Sequence, residues 1–250
     1  MGTALAGGLL AAGWEPAALT VVEADAARRR QLEHELPGVP IVGEPVATAG
    51  AVVAVKPADG EAACRALAAT GTRRVLSIMA GVTATTLQRW LGPDVVVLRA
   101  MPNTPALVRA GVSALAPGPG AGQEDVAWAT GILEAVGTVV AVAEGALDAV
   151  TALSGSGPAY VCLVAEALVE AGVLVGLARP LSRTLALHTL AGAARLLVES
   201  GQEPESLRAQ VTSPGGTTAA ALRVLEAKAV RSAFLEAVAA AAERARQLGT

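Results

Sequence analysis

The chain has 250 residues, a formal net charge of −3, 53% hydrophobic residues, 16% charged residues and 2% aromatic ones. That length admits two domains of ordinary size. The apolar content excludes disorder, and dispersed Lys and Arg advertise no nucleic-acid surface, so no nucleic-acid partner is expected. The Ala- and Gly-rich composition suits helices packed through small side chains. A membrane span needs about 20 consecutive apolar residues. The best candidate, Ala149 to Ala165, is broken by Ser154-Gly155-Ser156-Gly157-Pro158 and followed by Glu166 and Glu170. A buried helix and no membrane association are therefore expected. No cationic segment and no A-x-A site follow Met1, so no signal peptide is read. Cys64 and Cys162 have a spacing that fits no metal site. Two reduced thiols in a cytoplasmic protein without a metal are expected.

Met1 to Leu10 (MGTALAGGLL) reads as the start of a helix that ordinarily follows a glycine-rich phosphate loop. Strands are predicted at Leu19–Glu23, Val39–Val42, Ala51–Val55, Arg74–Ile78, Asp94–Arg99 and Thr138–Val142. Helices are predicted over residues 3–12, 26–35, 60–69, 85–91 and 124–135. Short apolar runs between helices are what a parallel sheet covered on both faces requires. After Asp148 strand signals stop. Helical patterns take over at 158–176, 181–200, 205–210, 217–227 and 230–247, with Pro158 at a helix start and Ser156 as its cap. Helices with so little polar face need cover, which predicts a second subunit.

Three segments carry more than fold. Ala54-Val55-Lys56-Pro57 ends a strand, and its proline turns the chain out of the sheet as a rigid ledge. Lys56 there can face an anionic or amide-bearing ligand, or be an ordinary surface lysine. Met101-Pro102-Asn103-Thr104-Pro105 follows a later strand. It holds Asn103 between two prolines, either as a ligand group or as an ordinary turn residue. In open α/β sheets ligands bind at the carboxyl ends of strands. The third segment, Thr212 to Thr218 (TSPGGTT), runs directly into an apolar helix. Converging backbone N–H groups and the positive dipole end make it an anion site. It has no Lys or Arg, so a lone carboxylate fits better than a polyphosphate; a capped helix start is the plainer alternative. His34 and His188 sit in helices without catalytic partners, and no Ser-His-Asp, Cys-His or paired-carboxylate arrangement is visible. Hydride transfer to an already protonated imine suits a site without a strong acid or base.

In this order the segments resemble pyrroline-5-carboxylate reductase. The motifs are AVKP (54–57), SIMAG (77–81), RAMPNTP (99–105), LDAVTALSGSGPAY (147–160) and VTSPGGTT (211–218). The resemblance implies reduction of 1-pyrroline-5-carboxylate to L-proline with NADPH or NADH. It implies a Rossmann-like parallel sheet over residues 1–146 and a helical substrate-binding and dimerisation domain over residues 147–250. It further implies a homodimer, within larger rings of dimers in many members. Carried over by position, Gly2, Ala54, Val55, Lys56, Pro57, Ile78, Met79, Ala80 and Asn103 would border the cofactor. Glu144, Ser213, Gly216, Thr217 and Thr218 would meet the substrate, with the Thr218 hydroxyl at the ring nitrogen as the catalytic group.

The family places a strand and G-x-G-x-M-G before its first helix, and Met1-Gly2 match only the final M-G. Four or five buried aliphatics of that strand, at about 1.5–3 kcal/mol each, rival a total stability of about 5–15 kcal/mol. An upstream start codon, followed by codons for an apolar strand and G-x-G before Met1, is therefore expected. The alternative is an N-terminally truncated, catalytically inactive dimeric paralogue. A β-hydroxyacid dehydrogenase would need a lysine on the helices of the second domain, where Lys228 at a predicted helix break is the only one. For the cofactor, Glu23-Ala24-Asp25 favours NADH, whereas Arg28, Arg29 and Arg30 suit the 2′-phosphate of NADPH. The resemblance tips the expectation to NADPH.

Overall fold

The computed structural model describes residues 1–248. The chain opens with α1 (Gly2–Ala11), which buries Leu5, Ala6, Gly8 and Leu9. A 3-10 turn leads to β1 (Val21–Val22) and then α2 (Ala26–Glu35). The Asp25 carboxylate starts α2 by accepting from the amides of Ala27 and Arg28 at 2.6 and 3.3 Å, which satisfies two of the open donors of the first turn. β2 (Ile41–Val42) pairs in parallel with β1, and the two form a sheet of their own.

β3 (Ala51–Val53), α3 (Gly60–Ala68), β4 (Arg74–Ser77), α4 (Ala84–Leu91) and β5 (Val96–Met101) alternate as the apolar runs require. The three strands pair in parallel. Successive side chains point to opposite faces. Leu76 and Leu98 pack with Leu5, Leu9 and Leu133, whereas Val75 and Val97 pack with Cys64, Leu87 and Leu91. Both faces are thus covered.

One strand departs from the predicted parallel order. β6 (Gly111–Pro117) runs antiparallel to β5, with Arg99 opposite Ala116 and Met101 opposite Ala114. Only a 3-10 turn, Thr104–Val108, joins the two, and a connection that short cannot make a parallel crossover. α5 (Gln123–Glu134) then carries the chain to β7 (Gly137–Ala141), parallel to β6, giving the order β3-β4-β5-β6-β7.

α6 (Leu147–Val150) passes through a π turn, Thr151–Gly155, directly into α7 (Gly157–Leu174). α7 thus starts one residue before the expected Pro158, but the expected Ser156 cap is corrected, since Ser156 has helical dihedrals and closes the π turn. The chain is already helical there, and the Ser156 amide donates to the Thr151 carbonyl at 2.8 Å. Pro158 has no N–H to offer the carbonyl four residues back, and the wide turn absorbs the missing bond. α8 (Arg179–Ser200), α9 (Pro204–Gln210), α10 (Thr217–Ala227) and α11 (Val230–Leu248) complete the fold.

By internal contacts the chain divides into two units, Met1–Pro158 with the residues from Ala240 onward, and Ala159–Ala239. The first unit keeps residues 147–158, which the sequence pattern assigned to the helical domain. In the second, Val161, Leu163, Leu174, Leu181 and Leu185 are exposed. The buried helix expected here is also corrected: within α7 only Val169 is buried. The continuous helix Glu144–Leu174 is by length and composition apolar enough to cross a membrane.

Candidate functional site

The carboxyl ends of β3, β4 and β5 lie side by side, because the strands are adjacent and parallel. Each leads into a segment marked out by the sequence. After β3, the residues Ala54, Val55, Lys56 and Pro57 are all exposed. Pro57 opens a 3-10 turn closed by the Asp59 amide on the Lys56 carbonyl at 2.9 Å, the rigid ledge a proline at that place produces. After β4, Ile78 is half-buried and Ala80 is exposed. Met79 is buried, with its sulfur against Gly60. Its side chain belongs to the core, which leaves only its backbone for a ligand.

The start of α1 meets the same edge. A Cβ added to Gly2 would stand 3.2 Å from the Cβ of Ala54. The first backbone bond of α1 is Leu5 N–H to the Met1 carbonyl. The amides of Gly2, Thr3 and Ala4 are therefore open, no acidic side chain lies in that turn, and a phosphate fits there. At the end of β1, the Glu23 carboxylate accepts from the Asp25 amide at 3.0 Å. Arg29 folds back onto the carbonyls of Glu23 and Ala24 at 2.8 and 2.7 Å. Arg28 is bridged to Glu35 at 2.7 Å.

After β5, Asn103 is buried and both ends of its amide are engaged. Its Oδ1 accepts from the Val112 amide at 2.9 Å, and its Nδ2 donates to the Ser154 carbonyl at 3.1 Å. Ser154 carries the carbonyl that Pro158 leaves without a helical donor. The segments RAMPNTP (99–105) and LDAVTALSGSGPAY (147–160) are thus hydrogen-bonded to each other. Glu144 is likewise engaged. Its Oε1 accepts from Arg99 Nη1 at 2.8 Å and from the Ala84 amide at 2.6 Å. Sequence reasoning missed Arg99, taking it for the polar end of a strand. The available signal was a lone cation in an otherwise apolar run, which needs a buried anion to face it.

In the second unit, Gly215 sits at φ 71° and Gly216 flanks the start of α10. The Gly216 amide turns back to the Ser213 carbonyl at 3.0 Å, and the first bond of α10 runs from the Ala220 amide to the Gly216 carbonyl. The amides of Thr217, Thr218 and Ala219 precede that bond and meet no acceptor among the described residues. A Cβ on Gly216 would crowd Ser213 Oγ and stand 3.2 Å from the Ser213 carbonyl oxygen, so a side chain there would displace the Ser213 hydroxyl. Ser213, Gly216, Thr217 and Thr218 therefore do come together, in a nest with four polar side chains nearby and no cation among residues 212–218. Such a nest suits one small carboxylate. Cys64 offers no nucleophile, since burial pushes its thiol up to about 11, and the thiolate is the reactive form.

A family model described as pyrroline-5-carboxylate reductase dimerisation matches residues 144–248. A pyrroline-5-carboxylate reductase of Mycobacterium tuberculosis is 42% identical over 276 aligned residues, covering 99% of this chain and 93% of the relative. The chain belongs to the pyrroline-5-carboxylate reductase family. The fold agrees. A pyrroline-5-carboxylate reductase of Coxiella burnetii superposes with a TM-score of 0.93 at 35% identity, covering 100% of this chain and 95% of that one. The pyrroline carboxylate reductase of Plasmodium falciparum, solved with NADP bound, gives 0.86 at 28% identity and the same coverages. As a pyrroline-5-carboxylate reductase, the chain has a Rossmann-like sheet with one antiparallel strand and a helical carboxyl-terminal region.

Proposed function

We propose that the chain reduces 1-pyrroline-5-carboxylate to L-proline with NADPH, NADH being the alternative donor, and that the nest at the start of α10 holds the substrate carboxylate. The observation that carries the reading is that nest: open amides at Thr217, Thr218 and Ala219 beside a glycine packed against Ser213. The Rossmann-like unit is the cofactor domain. The open first turn of α1 at Gly2 suits the pyrophosphate, and Ala54, Val55, Lys56, Pro57, Ile78, Ala80 and the Met79 backbone border the nicotinamide end. Asn103 serves the same end by holding the loop after β5, since its amide is spent on Val112 and Ser154. The bound nicotinamide supplies the hydride. The chain's own residues do the rest. The nest fixes the carboxylate and thereby orients the ring, and the Thr218 hydroxyl holds the proton at the imine nitrogen. Orientation of this kind supplies several kcal/mol of a barrier without a strong acid or base.

The exposed Val161, Leu163, Leu174, Leu181 and Leu185 call for cover, and a second copy of the chain is the proposed cover. The apolar helix Glu144–Leu174 is then an interface helix and not a membrane span. A ring of dimers is the larger assembly proposed, and the cytoplasm, which keeps Cys64 and Cys162 reduced, the location. A crystal complex with L-proline tests the site. The proline carboxylate is expected against the amides of Thr217 and Thr218; a proline seated away from residues 213–218 would contradict the assignment.

A further inference from the structure

Along β5 the side chains of Val97, Arg99 and Met101 point to one face. Val97 packs in the cluster containing Ala84 and Leu87, and Met101 packs against Leu147. Between them stands Arg99, 5% exposed. A guanidinium in that place is costly unless an anion neutralises it, and Glu144 is its ion-pair partner at 2.8 Å. The pairing is not bidentate: the buried Nε of Arg99 has no partner. The same Glu144 oxygen also takes the Ala84 amide at 2.6 Å, one of the open donors in the first turn of α4. Thr83 caps another donor of that turn, accepting from the Thr86 amide at 3.1 Å. One carboxylate oxygen therefore joins the middle of β5, the start of α4 and the turn that leads into α6.

The segment held by this joint is residues 78–83, stretched between the end of β4 and the start of α4. It is anchored at its other end by the Met79 amide on Ser77 Oγ at 3.3 Å and by the buried Met79 side chain. We infer that Glu144 and Arg99 are positioning residues for the nicotinamide: they fix the start of α4, and through it the 78–83 segment, and Glu144 does not touch the substrate. The inference rests on the placing of residues 78–80 beside the cofactor. The Glu144 oxygen is already shared by a guanidinium and a backbone amide, so its place in the fold is accounted for without a substrate contact.

NADPH fluorescence titration of the full chain, with KM for the imine measured alongside, provides the test. Glu144→Ala is expected to weaken NADPH at least fivefold while KM for the imine moves less than twofold. Glu144→Gln, which can still accept from Ala84 and Arg99, is expected to recover NADPH affinity to within twofold. Arg99→Met, which keeps the apolar stem, should match Glu144→Ala, and the double variant should be no worse than either alone. NADPH affinity unchanged in both single variants would overturn the inference, as would a loss confined to the imine KM, or losses that multiply in the double variant. A wild-type chain that binds no NADPH would overturn the cofactor reading as well, so the two failures are distinct.

Discussion

Replacing Thr218 by alanine is expected to lower kcat/KM for 1-pyrroline-5-carboxylate by about 10–150-fold, the worth of one hydrogen bond to a charged group at about 1.5–3 kcal/mol. The substitution is selective. Alanine keeps the backbone amide proposed to serve the carboxylate and is a good helix former in the first turn of α10. Only the hydroxyl is lost. The hydroxyl accepts from the charged N–H of the bound iminium, and that charge fades as the hydride arrives, so the loss is expected in KM as well as in kcat. Steady-state kinetics of NADPH oxidation at several imine concentrations separate the two. Turnover near that of the wild type would remove Thr218 from the proposed chemistry.

Asn103→Leu should have the largest effect on stability. Leucine is close to asparagine in size and suits a buried site, so little packing is lost. Two polar groups lose their partners, however: the Val112 amide and the Ser154 carbonyl. An orphan fully cut off from water costs about 1–3 kcal/mol, and these two residues are only half-buried, so the chain is expected to lose about 1–3 kcal/mol of a total of about 5–15 kcal/mol. Urea unfolding measures it, with the midpoint falling at unchanged slope. Asn103→Asp keeps the acceptor for Val112 but not the donor for Ser154, and should lie between. A leucine variant within about 0.5 kcal/mol of wild type, the range of ordinary surface substitutions, would show that the joint holds nothing.

The alternating strands and helices up to β5 were legible because each apolar run is bounded by a helix with its own start signal, as Asp25 and Thr83 supply. β6 was not. Its sequence, Gly111 to Pro117, mixes Gly, Ser, Ala and Pro with Val and Leu, and its strand character comes from pairing with β5 and β7 rather than from local propensity. The π turn was hidden for a related reason. Ser154 to Pro158 looks like a break, and only the Asn103 side chain, 51 residues away, makes a continuous helix affordable. The amide nest was visible from residues 212–218 alone, because its geometry is local. The Arg99–Glu144 joint was not, since a pair 45 residues apart leaves no periodic trace. The bareness of α7 was equally out of reach: its apolar residues mark it for burial, and the sequence does not say which chain provides the cover.

The α10 nest is proposed to hold the substrate carboxylate, and the Rossmann-like unit the nicotinamide donor. The most direct measurement mixes the purified chain, NADPH and 1-pyrroline-5-carboxylate, and follows NADPH oxidation and L-proline formation together. The expected result is oxidation that depends on the imine, yields L-proline mole for mole, and is blocked competitively by a small cyclic carboxylate that occupies residues 213–218. NADPH consumed without L-proline, or an imine left untouched by a folded chain that binds NADPH, would contradict the account.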